Sequence, residues 1–261
     1  MHYKAGDRRV MNFLDIPNLP EKKVNLVLVD GRIGQDIEEK LMSLKINYIK
    51  TKPLDSLYPA ISYHPDIFFH HLEKNIIVYA PGVCKEILKK LHSLGFELLE
   101  GKSRLTSKYP GNICYNGARV GKYFFHNTKY TDSVILEHLK KKDIEIVHVN
   151  QGYTKCSVSV VNENSIITMD RGIAKIAEKK GLDVLLIEEE DRIVLEGLDK
   201  GFIGGSTFLI DKYKWAICGD IEKLKTEKKI RDFLNKKGME IVSLGNENSV
   251  DVGSVIPLLT G

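Results

Sequence analysis

Gly152-Tyr153-Thr154-Lys155-Cys156-Ser157-Val158-Ser159-Val160 decides how this chain is read, because relatives of the stretch recur along it. It opens on an aromatic residue, passes through two variable positions and a small or polar one, and ends in an apolar run. Tyr63-His64-Pro65-Asp66-Ile67-Phe68-Phe69 has the same shape, as do Tyr109-Pro110-Gly111-Asn112-Ile113-Cys114-Tyr115 and Phe202-Ile203-Gly204-Gly205-Ser206-Thr207-Phe208. Val250-Asp251-Val252-Gly253-Ser254-Val255-Ile256 is a degenerate fifth copy. The leading residues stand at 63, 109, 153, 202 and 250, so the gaps are 46, 44, 49 and 48. Near-constant spacing of that size marks a repeat architecture.

A second pattern lies between the copies: an apolar helical segment, one connecting residue, then a short strand. Gly95, Gly181 and Gly238 are connectors, with Asp143 and Lys45 in the two remaining units. Glycine takes the left-handed conformation past a helix cheaply and Asp tolerates it, so Lys45 is the poorest fit. Each unit therefore reads as β-β-α-β. In the first, Leu26–Asp30 is a buried strand, and Ile37, Leu41 and Leu44 recur at helical spacing before a strand at Ile46–Ile49. Opening strands are predicted at Ile67–Phe69 and Ile113–Tyr115, and Ile193–Leu195 adds an extra one. Thr131-Asp132 is a helix N-cap signal.

The first unit lacks an opening strand, and the C-terminal Ser254–Leu259 is an opening strand with no unit after it. If the units form a ring, the last strand completes the first unit, protecting sheet edges and securing both chain ends. The expected fold is thus α/β: a five-bladed α/β propeller of ββαβ repeats with pseudo-fivefold symmetry, closed by the C-terminal strand. The repeat leaves no linker, so residues 1–261 are expected to form one domain, with 1–23 a lead-in segment.

The 261 residues can bury roughly 70–75% of their unfolded surface and need no staples. Hydrophobic residues at 43% and charged residues at 28% are globular values. The net charge of +4 is spread over lysine-rich helix ends such as Lys140-Lys141-Lys142, with no aromatic–basic stripe, which argues against nucleic acid. No apolar run approaches a membrane span, and the polar opening Met1–Arg9 is unlike a signal peptide. Cys84, Cys114, Cys156 and Cys218 make no C-x-x-C pair and no Cys/His metal spacing, so neither a metal nor a cofactor is expected. The expectation is a cytoplasmic protein with reduced thiols, acting on a small-molecule metabolite and compatible with a homo-oligomer.

Five such units with strand exchange at closure resemble the pentein fold of guanidino-group-modifying enzymes. Arginine deiminases, agmatine deiminases, amidinotransferases and dimethylarginine hydrolases share it, as does a ribosome anti-association factor that is not an enzyme. Tyr58–Asp66, Phe125–Asp132 and Gly201–Gly205 look like an uncharacterised family of clostridial and related bacterial proteins with this fold. In the enzymes the nucleophilic Cys follows a Gly-rich turn in the last repeat. Here the similar turn, Asp251-Val252-Gly253-Ser254, is followed by no thiol. The chemistry is then either lost or moved.

Moved chemistry has a candidate. If the copies converge on an axis, Asp66, Asn112, Cys156, Gly205 and Gly253 are equivalent around one central pocket, with Ser157, Ser206, Ser254, Lys155, His64 and Asp251 beside them. Polar groups gathered at strand starts need a ligand, water or one another. Cys156 is the candidate nucleophile and His64 the candidate acid/base. Lys155 is expected to draw the thiol pKa from about 8.5 toward neutrality. Asp66, Asn112, Lys155, Ser157, Gly205, Ser206, Asp251 and Ser254 are candidate ligand-binding residues. The implied function is binding of a zwitterionic amino-acid or guanidino-type ligand by a Cys156 hydrolase or transferase. The other reading is a non-catalytic pentein that binds a ligand or a macromolecule such as the ribosome.

Overall fold

Five connecting residues set the architecture. Lys45, Gly95, Asp143, Gly181 and Gly238 all have positive φ, between 52° and 86°. Each ends a helix in the left-handed region and turns the chain back into a strand. The lysine, the poorest fit by residue type, adopts the conformation its register demands.

The computed structural model describes residues 12–187 and 192–261; the polar opening Met1–Arg9 lies outside the described residues. The first unit has β1 (Asn12–Phe13), β2 (Val24–Val29), α1 (Gln35–Ser43) and β3 (Asn47–Lys50). The second has the single turn α2 (Pro65–Phe68), β4 (Phe69–Glu73), β5 (Ile76–Tyr79), α3 (Lys85–Ser93) and β6 (Glu97–Glu100). The third has β7 (Ala118–Val120), β8 (Tyr123–His126), α4 (Ser133–Lys141) and β9 (Glu145–His148). The fourth has the single turn α5 (Thr154–Ser157), β10 (Val158–Asn162), β11 (Ser165–Thr168), α6 (Arg171–Lys179) and β12 (Asp183–Leu186). The fifth has a 3-10 turn at Gly204–Ser206, β13 (Thr207–Asp211), β14 (Lys214–Ile217), α7 (Glu227–Lys236) and β15 (Glu240–Ser243), and β16 (Ile256–Thr260) follows.

Among the described residues these strands make five small sheets. Within each, the first strand pairs antiparallel with the second, and the helix returns the chain to a third strand parallel to the second. The first unit draws its opening strand from the far end of the chain. β16 runs antiparallel to β2, with Ile256 opposite Leu28 and Pro257 opposite Val27, and β1 pairs on its other side. Each helix buries an apolar stripe, such as Ile87 and Leu91 of α3 or Ile230 and Leu234 of α7. Asp132 and Asp170 cap α4 and α6 by accepting from the amides of Val134 and Ile173.

Three expectations about strands are corrected. Most of Ile67–Phe69 belongs to α2, with only Phe69 in the strand, and Ile113–Tyr115 lies in a turn ahead of β7. These residues are buried by all-round packing and carry the apolar density of a strand without its extended backbone. Ile193–Leu195 supplies only isolated bridges, Val194 to Val250 and Leu195 to Leu198. Among the described residues no helix is long and apolar enough to cross a membrane.

Candidate functional site

Each short turn presents its last residues just before a strand begins. Asn116, Cys156, Gly205 and Ser254 each stand two residues ahead of β7, β10, β13 and β16, and Asp66 stands three ahead of β4. Counted from the strand starts, Asn116 and Ser254 align with Cys156 and Gly205 in place of the expected Asn112 and Gly253, and Asp66 is one residue out of that register. Nine residues separate Tyr109 from the start of β7, against five from Tyr153 to β10, and that longer lead shifts the third copy.

The turns meet in a buried polar cluster. Asp66 Oδ2 accepts from Cys156 Sγ at 3.1 Å and from Ser254 Oγ at 2.7 Å. Ser254 has only one proton, so its 2.9 Å contact with the Gly204 carbonyl is an alternative acceptor. Lys155 Nζ donates to Ser254 Oγ at 2.9 Å and to the Gly204 carbonyl at 3.4 Å. Asn116 ties the floor together. Its Nδ2 donates to Cys156 Sγ at 3.3 Å and to the Asp66 carbonyl at 3.1 Å, while its Oδ1 accepts from the amides of Lys155 and Cys156.

Asp251 is held apart from this bridge, accepting from the amides of Phe202 and Gly253 at 2.9 Å each. A Cβ at Gly205 would overlap the Asp251 carboxylate, and one at Gly253, where φ is +63°, would overlap His64. The two glycines thus let carboxylate and imidazole approach their neighbours' backbone. His64 Nε2 lies 3.8 Å from Asp30 Oδ2, and neither ring nitrogen has a hydrogen-bond partner. Asp66 Oδ1 is likewise buried without a partner. One ligand atom each from His64, Asp66 and Cys156 lie within 4.8 Å of one another.

Burial governs the electrostatics. None of His64, Asp66, Asn116, Lys155, Cys156, Asp251 and Ser254 is more than 7% exposed. Desolvation, followed by the charges of Asp66 and Asp251, pushes the Cys156 thiol well above its ordinary pKa. The downward shift expected from Lys155 is thereby reversed. The ammonium is adjacent in sequence but reaches toward Ser254, and the thiol faces a carboxylate. Burial lowers the Lys155 pKa against the pull of Asp66, Cys156 and Asp251. Burial also raises that of Asp251, opposed by His64.

The remaining candidates lie outside the bridge. Ser157 Oγ donates to the Tyr153 carbonyl at 2.7 Å and Ser206 Oγ to the Ile203 carbonyl at 2.9 Å, so both hydroxyls turn back on their own turns. Gly205 contributes its carbonyl, which accepts from the amides of Val252 and Ser254. Asn112 reaches the Ser107 carbonyl, at 3.4 Å, and the Tyr153 hydroxyl, outside the bridge. Tyr58, Tyr153 and Phe202 pack with Cys156 in one apolar cluster. A cavity of about 20 Å³ is lined by Asp66 and Lys155 together with Pro17 and Asn18. A larger cavity of about 380 Å³, lined by Leu19, Val161 and Lys212, touches none of the cluster. Asn116, which donates to Cys156, and Asp30, which faces His64, are the side chains at the cluster that sequence reading did not single out.

The sequence matches the family described as "Family of unknown function (DUF6873)" over residues 28–256. Comparison with the curated proteins gave no match. Among solved structures, the chain is similar to SxtG, an amidinotransferase from Microseira wollei in the saxitoxin biosynthetic pathway. Identity is 14%, with 91% of this chain and 97% of that one covered at a TM-score of 0.51. The inosamine-phosphate amidinotransferase StrB1 of Streptomyces griseus aligns at 11% identity over 94% and 97% of the two chains, TM-score 0.55. Agmatine deiminase of C. jejuni aligns at 12% identity over 89% and 91%, TM-score 0.53.

Proposed function

This chain belongs to the DUF6873 family and has the pentein fold, and from that premise we propose that it is a thiol-dependent hydrolase or transferase. Its substrate would be a small zwitterion, attacked at a guanidino or amidine carbon. The observation that carries this reading is the buried Cys156 thiol held 3.1 Å from the Asp66 carboxylate. The five sheets would stand as blades about a pseudo-fivefold axis, closed by β16, with this cluster near the axis; the pairing of β16 with β2 supports that arrangement.

In the proposed reaction, Cys156 Sγ forms a bond to the guanidino carbon as its proton passes to Asp66 Oδ2. His64, whose ring nitrogens have no other partner, gives a proton to the leaving nitrogen as its bond to carbon breaks. Water, or an acceptor amine in a transferase, then attacks the thiouronium carbon and gives its proton to His64, while Asp66 returns its proton to the departing sulfur and the thiol is released. The thiol needs Asp66 as base, since burial keeps it protonated.

Charge selects the substrate. At 4 Å and an effective dielectric of 20, two like charges cost about 4 kcal/mol, roughly a thousandfold in affinity. A bare cation beside Lys155 is disfavoured, whereas a zwitterion places its cation by Asp66 and Asp251 and its carboxylate by Lys155 and Ser254. The 20 Å³ cavity holds about one water, so the surrounding chain must open to admit a metabolite.

The test is turnover of a guanidino-compound panel including arginine and agmatine, with a haloacetamidine as a covalent probe. Arginine should be preferred to agmatine, and the adduct should map to Cys156. No turnover, with labelling confined to the half-buried Cys84, would overturn the catalytic assignment. The second reading, a non-catalytic binder, draws on the closed cluster and its protonated thiol. It is favoured if arginine raises the melting temperature and is recovered unchanged.

A further inference from the structure

The covalent mechanism leaves several buried polar atoms without hydrogen-bond partners. Both ring nitrogens of His64 and Oδ1 of Asp66 are buried and unbonded, although each residue is no more than 2% exposed. An unmade hydrogen bond at such an atom is costly. These atoms sit beside a thiol whose sulfur is 3.1 Å from the other Asp66 oxygen. Imidazole, carboxylate and thiol come from two different turns, which is why no local Cys/His spacing announces them.

We propose that His64, Asp66 and Cys156 form a binding site for one divalent transition-metal ion of the zinc class. Mixed nitrogen, oxygen and sulfur donors suit that class, whereas calcium and magnesium take oxygen ligands. Bonds of about 2.0–2.3 Å place tetrahedral ligand atoms roughly 3.5 Å apart. The present spread reaches 4.8 Å, and His64 breaks no hydrogen bond in closing it.

The surroundings fit the same assignment. The nitrogen that faces Asp30 is Nε2, which leaves Nδ1 as the ligand. A carboxylate hydrogen-bonded to the distal nitrogen fixes the tautomer and orientation of a metal-bound histidine, and Asp30 would take that role by closing from its present 3.8 Å. Binding replaces the Cys156 S–H bond with a sulfur–metal bond and releases the proton to solvent. The fourth position is left to water.

An ion held this way takes the Cys156 thiolate out of covalent chemistry, so the metal inhibits turnover. This last step rests on the proposed function; the site itself does not. Cobalt(II) added to chelator-treated full-length protein reads the site without substrate. The expected result is one cobalt per chain, with a thiolate-to-cobalt charge-transfer band and the visible d–d bands of a tetrahedral ion. Cys156→Ser should abolish the charge-transfer band, His64→Ala should weaken binding at least tenfold, and Cys84→Ser should change neither.

Zinc should raise the melting temperature of wild type and not of His64→Ala, which separates a lost site from a misfolded variant. Absence of the charge-transfer band in folded wild type, or its persistence in Cys156→Ser, would overturn the site. Turnover measured with chelator present keeps the two ideas apart: Cys156-dependent activity without a cobalt band sinks only the metal site. A cobalt band in a protein that neither turns over the panel nor takes the covalent label sinks only the thiol mechanism.

Discussion

At the residue scale, the cluster is arranged by contacts between units, and Asn116 is the clearest case. One side chain donates to the Cys156 sulfur and the Asp66 carbonyl and accepts from two backbone amides. Asn116→Ala removes all of these from a fully buried position. The amide of Lys155 keeps a bond to the Asn116 carbonyl, but the Asp66 carbonyl and the Cys156 amide lose theirs. At about 1–3 kcal/mol for each of these two buried groups left unpaired, the expected destabilisation is about 2–6 kcal/mol by urea unfolding. Asn112→Ala, which gives up the long 3.4 Å bond to Ser107 and the contact with Tyr153 but leaves the bridge intact, should cost less, about 1 kcal/mol. Equal costs would mean that the cluster does not rely on the Asn116 bridge. Sequence reading placed His64, Asp66, Lys155, Cys156, Asp251 and Ser254 near one another because the repeat register predicts convergence. It chose Asn112 because a longer loop shifts the third copy, and it misjudged the thiol because neighbours in sequence were taken as neighbours in space.

At the element scale, the repeat was legible because every unit must solve the same problem, reversing a helix into a strand within one residue. Five left-handed connectors result, and only the residue types vary. Gly181 and Gly238 isolate the effect: a Cβ at either position meets nothing within 4 Å. Alanine there adds no clash and leaves only the cost of positive φ, so each substitution should lower stability by about 1 kcal/mol. Lys45→Gly runs the other way, relieving a φ of 58° and raising stability by a few tenths to about 1 kcal/mol after the unfolded-state entropy of glycine is subtracted. Chemical denaturation of the three variants decides it, and a stabilising Gly181→Ala would contradict the argument. The turns ahead of the first strands were less legible for a related reason. Pro65–Phe68 and Thr154–Ser157 are single helical turns, too short to show a 3.6-residue period, and they run directly into apolar strands.

At the scale of the whole molecule, the two chain ends depend on one another. β16 lies between β1 and β2, and its Leu258 and Leu259 are buried with the core of the first and second units. Ending the chain at Asn248 would expose the edge of β2 and remove Ser254 from the cluster, so the expected result is loss of soluble protein. A truncated chain with an unchanged melting temperature would count against the proposed closure. Stability of the intact chain should also depend on acid. Burial lowers His70 to a pKa of about 3, with the charges of His126, His71 and Arg119 acting in the same direction. Burial likewise brings His71 and His126 to about 4, opposed by the Lys74 carbonyl and Glu73 for the first and by the Gly152 and Ile113 carbonyls for the second, while His148 adds to the lowering of His126. Folded pKa values below the ordinary 6.5 mean that the unfolded chain binds more protons than the folded one between about pH 6.5 and pH 4. Stability should therefore be level above that window and fall as pH drops through it, by about 2 kcal/mol for each imidazole at pH 5. The urea midpoint, followed from about pH 7.5 to pH 5, should decline steeply below pH 6.5. A level midpoint would mean that the three histidines take up protons as readily in the folded chain as in the unfolded one.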